Sequence, residues 1–201
     1  MSGLLELLKQ IPLDLGQGSM AERTMGKVIA MDLVPAGDGA WALDIGARRG
    51  HQTRWLQSRG YQVISGDVEP GFEGCQVLDA NAPLPFEDGR FRLIWCSEVL
   101  EHLKDPAFSL GEMLRVTAPG GHVVLTTPNS YAWFFRMAAW VGLPPSRLQR
   151  ADHLHFFDEA AIRRLAPEAE VFGFFPYAFV RRKIRRGIGL LSPTFVIHLR
   201  K

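Results

Sequence analysis

The segment Trp41-Ala-Leu-Asp-Ile-Gly-Ala-Arg-Arg-Gly50 decides the fold of this chain. A short apolar run ends at Asp44, a glycine-bearing turn follows, and a helical pattern begins near Arg49. A strand that enters such a turn and then a helix is typical of the first unit of a doubly wound α/β fold, in which ligands bind at the carboxyl ends of the strands. The turn departs from the usual pattern, because Arg48 stands where a second glycine is expected.

Short apolar segments alternate with helical segments along the rest of the chain, which predicts right-handed crossovers and a parallel sheet. The segments 171–180 and 194–199 are strand-like and are expected to close the sheet as an antiparallel pair. Asp158 is expected to cap a helix that runs to Leu165. The predicted strands are 41–45, 62–65, 76–78, 92–96 and 122–126, and the helices between them include 52–58 and 106–116.

The composition is that of a globular domain, since 47% of the 201 residues are hydrophobic and 22% are charged. We place N-terminal helices in residues 1–36, at 4–8 and 21–33, and the main domain in 37–201, with a small helical cap inserted at about 130–157. The two cysteines match no metal-ligand spacing, which favours a reducing, cytoplasmic environment. We expect no secretory signal and no membrane-spanning stretch.

Polar residues follow four of the predicted strands. Asp44 and Gly46 close the first strand, Asp67 follows the second, Asp79 follows the third, and Ser97-Glu98 follows the fourth. The carboxyl ends of parallel strands meet at one edge of a sheet, so we expect these residues to share one site. An acidic residue after the second strand is suited to accept hydrogen bonds from the hydroxyls of a ribose.

These residues resemble the class I S-adenosylmethionine-dependent methyltransferases, and most closely the branch that acts on quinones, natural products and glycans. The resemblance rests on 44–50, Asp67, 79–86, 98–102 and 119–121 and covers about 40–200. It implies S-adenosylmethionine as cofactor and a doubly wound, seven-stranded, mostly parallel sheet with an antiparallel last strand. The implied cofactor-binding residues are Asp44, Gly46, Ala47, Gly50, Asp67, Val68, Asp79, Ala80, Ser97 and Glu98.

The resemblance also implies a role for parts of the site. Gly46 and its neighbours would pack on the methionine part of the cofactor, Asp67 would bind the ribose, and Asp79-Ala80 would flank the adenine. The segment Leu84-Pro85-Phe86 is suited to stack on that adenine. Arg48 is compatible with binding if its φ is negative and its side chain points outward, whereas an inward side chain would crowd the positively charged sulfonium.

Two alternatives remain open at this point. The first is a nicotinamide-dependent dehydrogenase, but Gly46 and Gly50 do not complete the Gly-x-Gly-x-x-Gly spacing. The segments 98–102 and Pro119-Gly120-Gly121 favour the methyltransferase. The second alternative is a catalytically silent partner subunit that keeps the fold and uses its aromatic cap and basic tail for assembly.

Methylation of a hydroxyl group requires a proton acceptor, and histidines are the candidates. We predict His153 as the base and His102 as a catalytic residue or as a capping residue near the adenine. Trp133, Trp140 and His155 are predicted to bind the substrate. No metal site is predicted, because no third ligand is visible in the sequence near His153 and His155. The predicted acceptor is a small, sugar-linked or lipid-linked molecule that is methylated at oxygen or nitrogen.

The C-terminal part of the chain is strongly basic, with seven Lys and Arg residues and no Asp or Glu over 171–201. Its apolar residues repeat at helical spacing, at Val180, Ile184, Ile188 and Leu191. A basic amphipathic helix with the charges of 181–186 can bind an anionic membrane surface or an acidic protein partner. Nucleic acid ranks below these partners, because the segment has few aromatic residues. The expected location is the cytoplasm, with peripheral membrane association.

Overall fold

The computed structural model describes residues 24–149, 152–177 and 182–201. Its strands are β1 (Trp41–Ile45), β2 (Gln62–Asp67), β3 (Cys75–Val77), β4 (Phe91–Ser97), β5 (Thr117–Pro128), β6 (Glu170–Phe175), β7 (Arg182–Ile184) and β8 (Thr194–Arg200). Its α-helices are α1 (Met25–Asp32), α2 (His51–Ser58), α3 (Pro106–Val116), α4 (Trp133–Trp140), α5 (Pro145–Leu148), α6 (Glu159–Leu165) and α7 (Ile188–Leu191), and Leu100–His102 forms a 3-10 turn.

The strands form one mostly parallel sheet in the order β3-β2-β1-β4-β5-β8-β6-β7. Strands β1 to β5 are parallel to one another, and β8 is antiparallel to both β5 and β6, which confirms the predicted α/β fold with its antiparallel last strand. The order reverses direction between β1 and β4. Ile45 pairs with Gly66 of β2 and with Cys96 of β4, so three strands end at the same level. A doubly wound sheet binds ligands at this reversal point.

Hydrophobic clusters cover both faces of the sheet, since β1, β4 and β5 send alternate side chains to opposite sides. One cluster includes Phe91 and Met113, and the other includes Trp95 and Phe172, all fully buried. Helix α1 packs on the second face, where a Cβ at Gly26 would lie 2.9 Å from Cγ2 of Thr194 in β8. This close approach fixes the position of α1 over the middle of the sheet.

The helix starts follow the predicted capping chemistry. The side chain of Asp158 accepts a hydrogen bond from the backbone N–H of Ala161 at 2.7 Å and begins α6, as predicted. Asp105 caps α3 in the same way, with Pro106 in the first turn. Each carboxylate also lies at the positive end of its helix dipole.

The C-terminal region corrects two predictions. The sheet has eight strands instead of seven, because β7 adds to the edge of β6. The helix predicted over 180–191 is wrong within the described residues, which form β7, a bend and the short α7. Lys183 and Arg185 place their cationic groups 5.2 and 4.6 Å from the ring centroid of Phe172. Edge pairing and these cation–π contacts stabilise the extended form, and basic side chains are common on strand edges.

The N-terminal prediction is tested only in part. The helix predicted at 4–8 lies outside the described residues, and the helix predicted at 21–33 is described as α1, capped by Thr24. In the predicted cap region, α4 and α5 follow β5. No helix within 24–149, 152–177 or 182–201 is long and apolar enough to cross a bilayer.

Candidate active site

A cavity of about 670 Å³ opens at the carboxyl ends of β1, β2 and β4. Its walls bring together nearly all of the residues that the sequence assigned to the cofactor. Those that line the cavity are Asp44, Gly46, Ala47, Asp67, Val68, Asp79, Ala80, Ser97 and Glu98. Gly50 does not line the cavity itself and is the N-cap residue of α2, in the same turn.

The turn after β1 requires its glycines. Gly46 has φ +77°, and a Cβ there would collide with Cγ2 of Val99. Gly50 has φ +73°, and a Cβ there would lie 2.9 Å from Cε1 of Phe72. Both positions therefore combine a left-handed backbone with a close approach, which only glycine allows at low cost. The turn thereby brings bare backbone to the cavity wall.

Arg48 differs from the expectation of a negative φ, since its φ is +46°. Its side chain is exposed, and its backbone N–H donates to Oδ2 of Asp67 at 2.9 Å. A glycine would adopt this conformation without strain, which explains why glycine is the usual residue there. The backbone of Arg48 is therefore strained, and the hydrogen bond to Asp67 offsets part of that strain.

The carboxylate of Asp67 joins two loops at the end of β2. Its Oδ2 accepts the N–H of Arg48, and its Oδ1 accepts the N–H of Glu69 at 3.0 Å. Each carboxylate oxygen has a second lone pair, so Asp67 can also accept hydrogen bonds from a ligand in the cavity. This is the chemistry that a ribose diol requires.

Asp44 is almost completely buried at the cavity floor. The hydroxyl of Thr53 donates to its Oδ2 at 2.6 Å and lies 2.9 Å from the hydroxyl of Ser65. Burial raises the pKa of Asp44 to about 6, and the bond from Thr53 only partly opposes this rise. Asp44 therefore ties β1 to α2 and β2 and keeps a near-neutral pKa.

The loop after β3 holds Asp79 and Ala80 against the cavity. Oδ1 of Asp79 accepts hydrogen bonds from the backbone N–H and the side-chain amide of Asn81, which lowers the pKa of Asp79. The carbonyl oxygen of Ala80 accepts a hydrogen bond from the hydroxyl of Ser109. The expected adenine contact of Leu84-Pro85-Phe86 is wrong. Leu84 is buried in the core, and Phe86 packs edge-on against Phe91 with centroids 5.0 Å apart.

Glu98 also adopts a left-handed backbone, with φ +58°, directly after β4. Its Oε1 accepts the hydroxyl of Thr126 at 2.9 Å, and that hydroxyl lies 2.8 Å from the hydroxyl of Ser97. Strained non-glycine residues of this kind concentrate at binding sites, where the surrounding structure holds them in place.

Lys27 is a cavity residue that the sequence analysis missed. It lies on the buried side of α1 and is only 6% exposed. Burial lowers its pKa, the Glu98 carboxylate raises it, and Arg48 lowers it further. A lysine on the sheet-facing side of an otherwise apolar helix is the signal that could have revealed it.

The histidines gather at the mouth of the cavity, where His102 and Asp152 line the wall. Nδ1 of His102 lies 3.0 Å from the carbonyl oxygen of Asp152, and the His102 and His153 rings lie 4.8 Å apart edge to face. The backbone carbonyl of Glu101 accepts the N–H groups of Leu154 and His155, which anchors the 152–157 segment to this turn. His153 therefore stands behind His102 instead of lining the cavity itself.

The three predicted substrate residues lie away from this cavity. His155 stacks on Phe157 with centroids 5.7 Å apart, because the backbone bond to Glu101 turns it outward. Trp133 donates its Nε1–H to the hydroxyl of Tyr177, and Trp140 is 95% exposed at the end of α4. The structure thus does not bring these side chains together with the cofactor-type residues.

Comparison with known proteins agrees with this geometry. A family model described as "Methyltransferase domain" matches residues 22–171. The chain belongs to the class I S-adenosylmethionine-dependent methyltransferases. The members of this family are enzymes that use S-adenosylmethionine as their cofactor.

The curated relatives include two named methyltransferases. Tocopherol O-methyltransferase of Arabidopsis thaliana is 48% identical over 105 residues, which cover 42% of this chain and 29% of the relative. Demethylmenaquinone methyltransferase of Beutenbergia cavernae is 32% identical over 112 residues, which cover 51% of this chain and 47% of the relative. This methyltransferase thus matches less than half the length of each.

Solved structures share the fold at low sequence identity. A SAM-dependent methyltransferase of Archaeoglobus fulgidus aligns with a TM-score of 0.66 at 15% identity, over 90% of this chain and 95% of that one. Phosphoethanolamine N-methyltransferase 2 of Haemonchus contortus, bound to phosphomonomethylethanolamine and S-adenosylhomocysteine, aligns with a TM-score of 0.55 at 20% identity. This alignment covers 73% of this chain and 38% of that one.

The residues of the cavity fit the cofactor of this methyltransferase. The volume lies within the range of about 300–1,000 Å³ for small-molecule sites. Asp67 offers acceptors for the ribose, the exposed Val68 offers an apolar surface, and the Gly46 turn offers bare backbone. Lys27 and Glu98 carry opposite charges, which match the carboxylate and ammonium groups of a methionine end.

Proposed function

We propose that this methyltransferase transfers a methyl group to a hydroxyl oxygen of a small aromatic molecule. The observation that carries the proposal is the position of His102 at the mouth of the cavity, with its Nδ1 directed at the carbonyl oxygen of Asp152. A carbonyl oxygen can only accept, so Nδ1 carries the proton and Nε2 keeps a lone pair. A phenol-type hydroxyl with a pKa near 10 needs such an acceptor at neutral pH.

Bound S-adenosylmethionine supplies a methyl group on a sulfonium sulfur, which is attacked in line by the acceptor oxygen. We assign its binding to the cavity residues: Asp67 to the ribose, Val68 with Asp79 and Ala80 to the adenine, and Lys27 with Glu98 to the charged methionine end. The Gly46 turn would position the sulfur region against backbone. Fixed orientation of the two reactants supplies much of the rate in such a displacement.

The names of relatives support an oxygen acceptor. Tocopherol O-methyltransferase and ubiquinone biosynthesis O-methyltransferase, the latter 27% identical over 132 residues, are named for transfer to oxygen. His102 in the cavity wall is placed to accept the proton of such a hydroxyl. The predicted role of His153 in proton transfer would be exerted through its edge-to-face contact with His102.

The surface of α4 supports a lipid-linked form of this acceptor. Met137, Trp140 and Val141 are 63, 95 and 76% exposed and form an apolar patch beside Arg136. Exposed aromatic and aliphatic side chains with a neighbouring cation are suited to the interface of an anionic bilayer. We propose that this patch, together with the basic segment 182–186, holds the enzyme at a membrane surface.

The experiment is a transfer assay with methyl-labelled S-adenosylmethionine and a panel of catechols, quinols and matched aryl amines. We expect labelled methyl ethers from the hydroxylated compounds. His102→Ala should lower kcat by about 10²–10⁴ while leaving cofactor affinity intact. Labelling of amines alone, or full activity of His102→Ala, would contradict the proposal.

A further inference from the structure

Glu101, His102 and His153 form a cluster with the composition of a metal site. Each side chain offers one ligand atom, and these three atoms lie within 4.8 Å of one another. Glu101 and His102 come from the 3-10 turn after β4, and His153 comes from the segment that follows α5. One carboxylate and two imidazoles are the ligand set of several catalytic zinc sites and of non-haem iron sites.

The surrounding contacts orient the three side chains. The carboxylate of Glu101 accepts the hydroxyl of Thr127 at 3.0 Å, and Glu101 is only 2% exposed. The carbonyl of Asp152 holds the proton of His102 on Nδ1, so Nε2 carries the lone pair that a metal ion requires. Metal-binding histidines commonly donate their other ring N–H to a carbonyl or carboxylate in this way.

The charges around the cluster favour a cation. The buried carboxylate of Glu101 lies close enough to the carboxylates of Glu98 and Asp152 to interact with them. A divalent ion would stabilise the ionised form of Glu101 and offset the repulsion among these carboxylates.

We propose that Glu101, His102 and His153 bind a divalent transition-metal ion at the mouth of the cavity, and that its open position binds the acceptor hydroxyl. This proposal rests on the proposed function, because it places the same acceptor at the same imidazoles. It changes the roles of His102 and His153 from proton acceptors to metal ligands. The ion would act as a Lewis acid that lowers the pKa of the hydroxyl.

The transfer step then balances as follows. The hydroxyl proton leaves to solvent when the acceptor oxygen binds the ion. An electron pair of this oxygen forms the new bond to the methyl carbon, while the pair of the breaking carbon–sulfur bond stays on the sulfur. The sulfonium therefore becomes a neutral thioether and the acceptor becomes a methyl ether, with no oxidant or reductant consumed.

The geometry requires only a small closure of the cluster. Zinc–ligand bonds of about 2.0–2.2 Å place tetrahedral ligand atoms about 3.4 Å apart. The three atoms, now within 4.8 Å of one another, therefore need to approach by up to about 1.4 Å. Since His102 is partly exposed and lines the cavity, its ring has room to move. Three protein ligands leave a fourth coordination position for the acceptor.

The test is calorimetric titration of zinc chloride into untagged, EDTA-treated and dialysed enzyme. We expect one saturable site, which Glu101→Gln, His102→Ala and His153→Ala each weaken at least about 10–100-fold. The matched control is His155→Ala, two residues along the same segment, which should leave zinc affinity within twofold. Thr127→Val removes only the bond to Glu101 and should weaken zinc binding about tenfold.

The folded state of each variant is checked by its affinity for S-adenosylmethionine, which should be unchanged. The proposal is overturned if the wild type shows no saturable binding at about 1 mM zinc, or if His155→Ala loses as much affinity as His153→Ala. Methyl transfer that persists in EDTA-treated enzyme without zinc binding would overturn the metal site and leave the proposed function standing. Tight zinc binding without any methyl transfer would support the site and contradict the proposed function.

Discussion

The backbone N–H of Arg48 donates to Oδ2 of Asp67 at 2.9 Å, and this bond joins the turn after β1 to the end of β2. It holds a non-glycine residue at φ +46° and leaves each oxygen of the carboxylate with a lone pair for the cavity. One carboxylate thus stabilises the loop and is available to bind the cofactor.

Replacement of Asp67 separates these two roles. Asp67→Asn keeps one acceptor oxygen for a backbone N–H, but it lacks the charged carboxylate that can accept hydrogen bonds from both ribose hydroxyls. Asp67→Ala loses both the bond to the backbone of the turn and the contact with the ribose. We expect cofactor affinity to fall at least about tenfold in the first variant and further in the second. Calorimetry with S-adenosylmethionine measures this. Asp88→Ala is the matched control, because Asp88 pairs with Arg115 outside the cavity; equal losses in Asp67→Ala and Asp88→Ala would refute the assignment.

Substitution of Arg48 tests the strain in the turn. Gly accepts φ +46° freely, whereas Ala retains the steric conflict, so Arg48→Gly should be about 1 kcal/mol more stable than Arg48→Ala. Urea unfolding of both variants provides the comparison. Because both lose the same charge, the difference reports the backbone alone. An alanine variant as stable as the glycine variant would mean that the position carries no strain.

Lys27→Met tests the proposed contact with the methionine carboxylate. The change removes a buried charge while keeping most of the side-chain length, so the protein should become more stable and bind the cofactor at least about tenfold more weakly. Thermal unfolding and calorimetry on the same sample separate the two effects. If stability and affinity rise together, Lys27 does not bind the cofactor.

The buried Asp44 makes stability depend on pH. Its pKa is about 6 in the folded protein and near 3.8 in the unfolded chain, so the fold favours the protonated form. The stabilisation from this group is fully present below about pH 4 and is lost as pH rises through 6, a change of about 3 kcal/mol. Unfolding free energies between pH 4 and 7.5 should therefore decline less steeply in Asp44→Asn than in the wild type. Identical slopes would show that Asp44 titrates normally.

Trp140→Ser tests the membrane surface. A tryptophan that is 95% exposed contributes little to folding, so the variant should keep its stability but float less with liposomes of anionic lipid. Trp41→Ser is a matched control at the opposite end of the sheet, where that ring is 39% exposed. Equal flotation of both variants and the wild type would argue against the α4 patch.

The sequence predicted the parts of the site that depend on local patterns. Asp44 and Asp67 lie at the carboxyl ends of β1 and β2, and Asp79 and Glu98 follow β3 and β4. The parallel order of these strands brings the four residues to one cavity. Because β1, β2 and β4 are in register at their carboxyl ends, residues at the ends of these strands must lie close together.

Features that depend on long-range contacts were not predicted. Lys27 reaches the cavity because α1 docks on β8, far along the chain. His153 meets His102 because the carbonyl of Glu101 accepts two N–H groups from a segment about fifty residues later. Leu84 and Phe86 turned toward the core because burial of apolar surface outweighs any local suitability for stacking.

The most direct test of the central claim is the equilibrium binding of S-adenosylmethionine to the wild-type enzyme, measured by calorimetry. We predict one site per chain with a dissociation constant of about 1–100 μM, in the range typical of enzyme substrates. We expect heat signals that saturate at one site per chain. S-adenosylhomocysteine should compete with this binding. No detectable binding at about 1 mM cofactor would contradict this prediction.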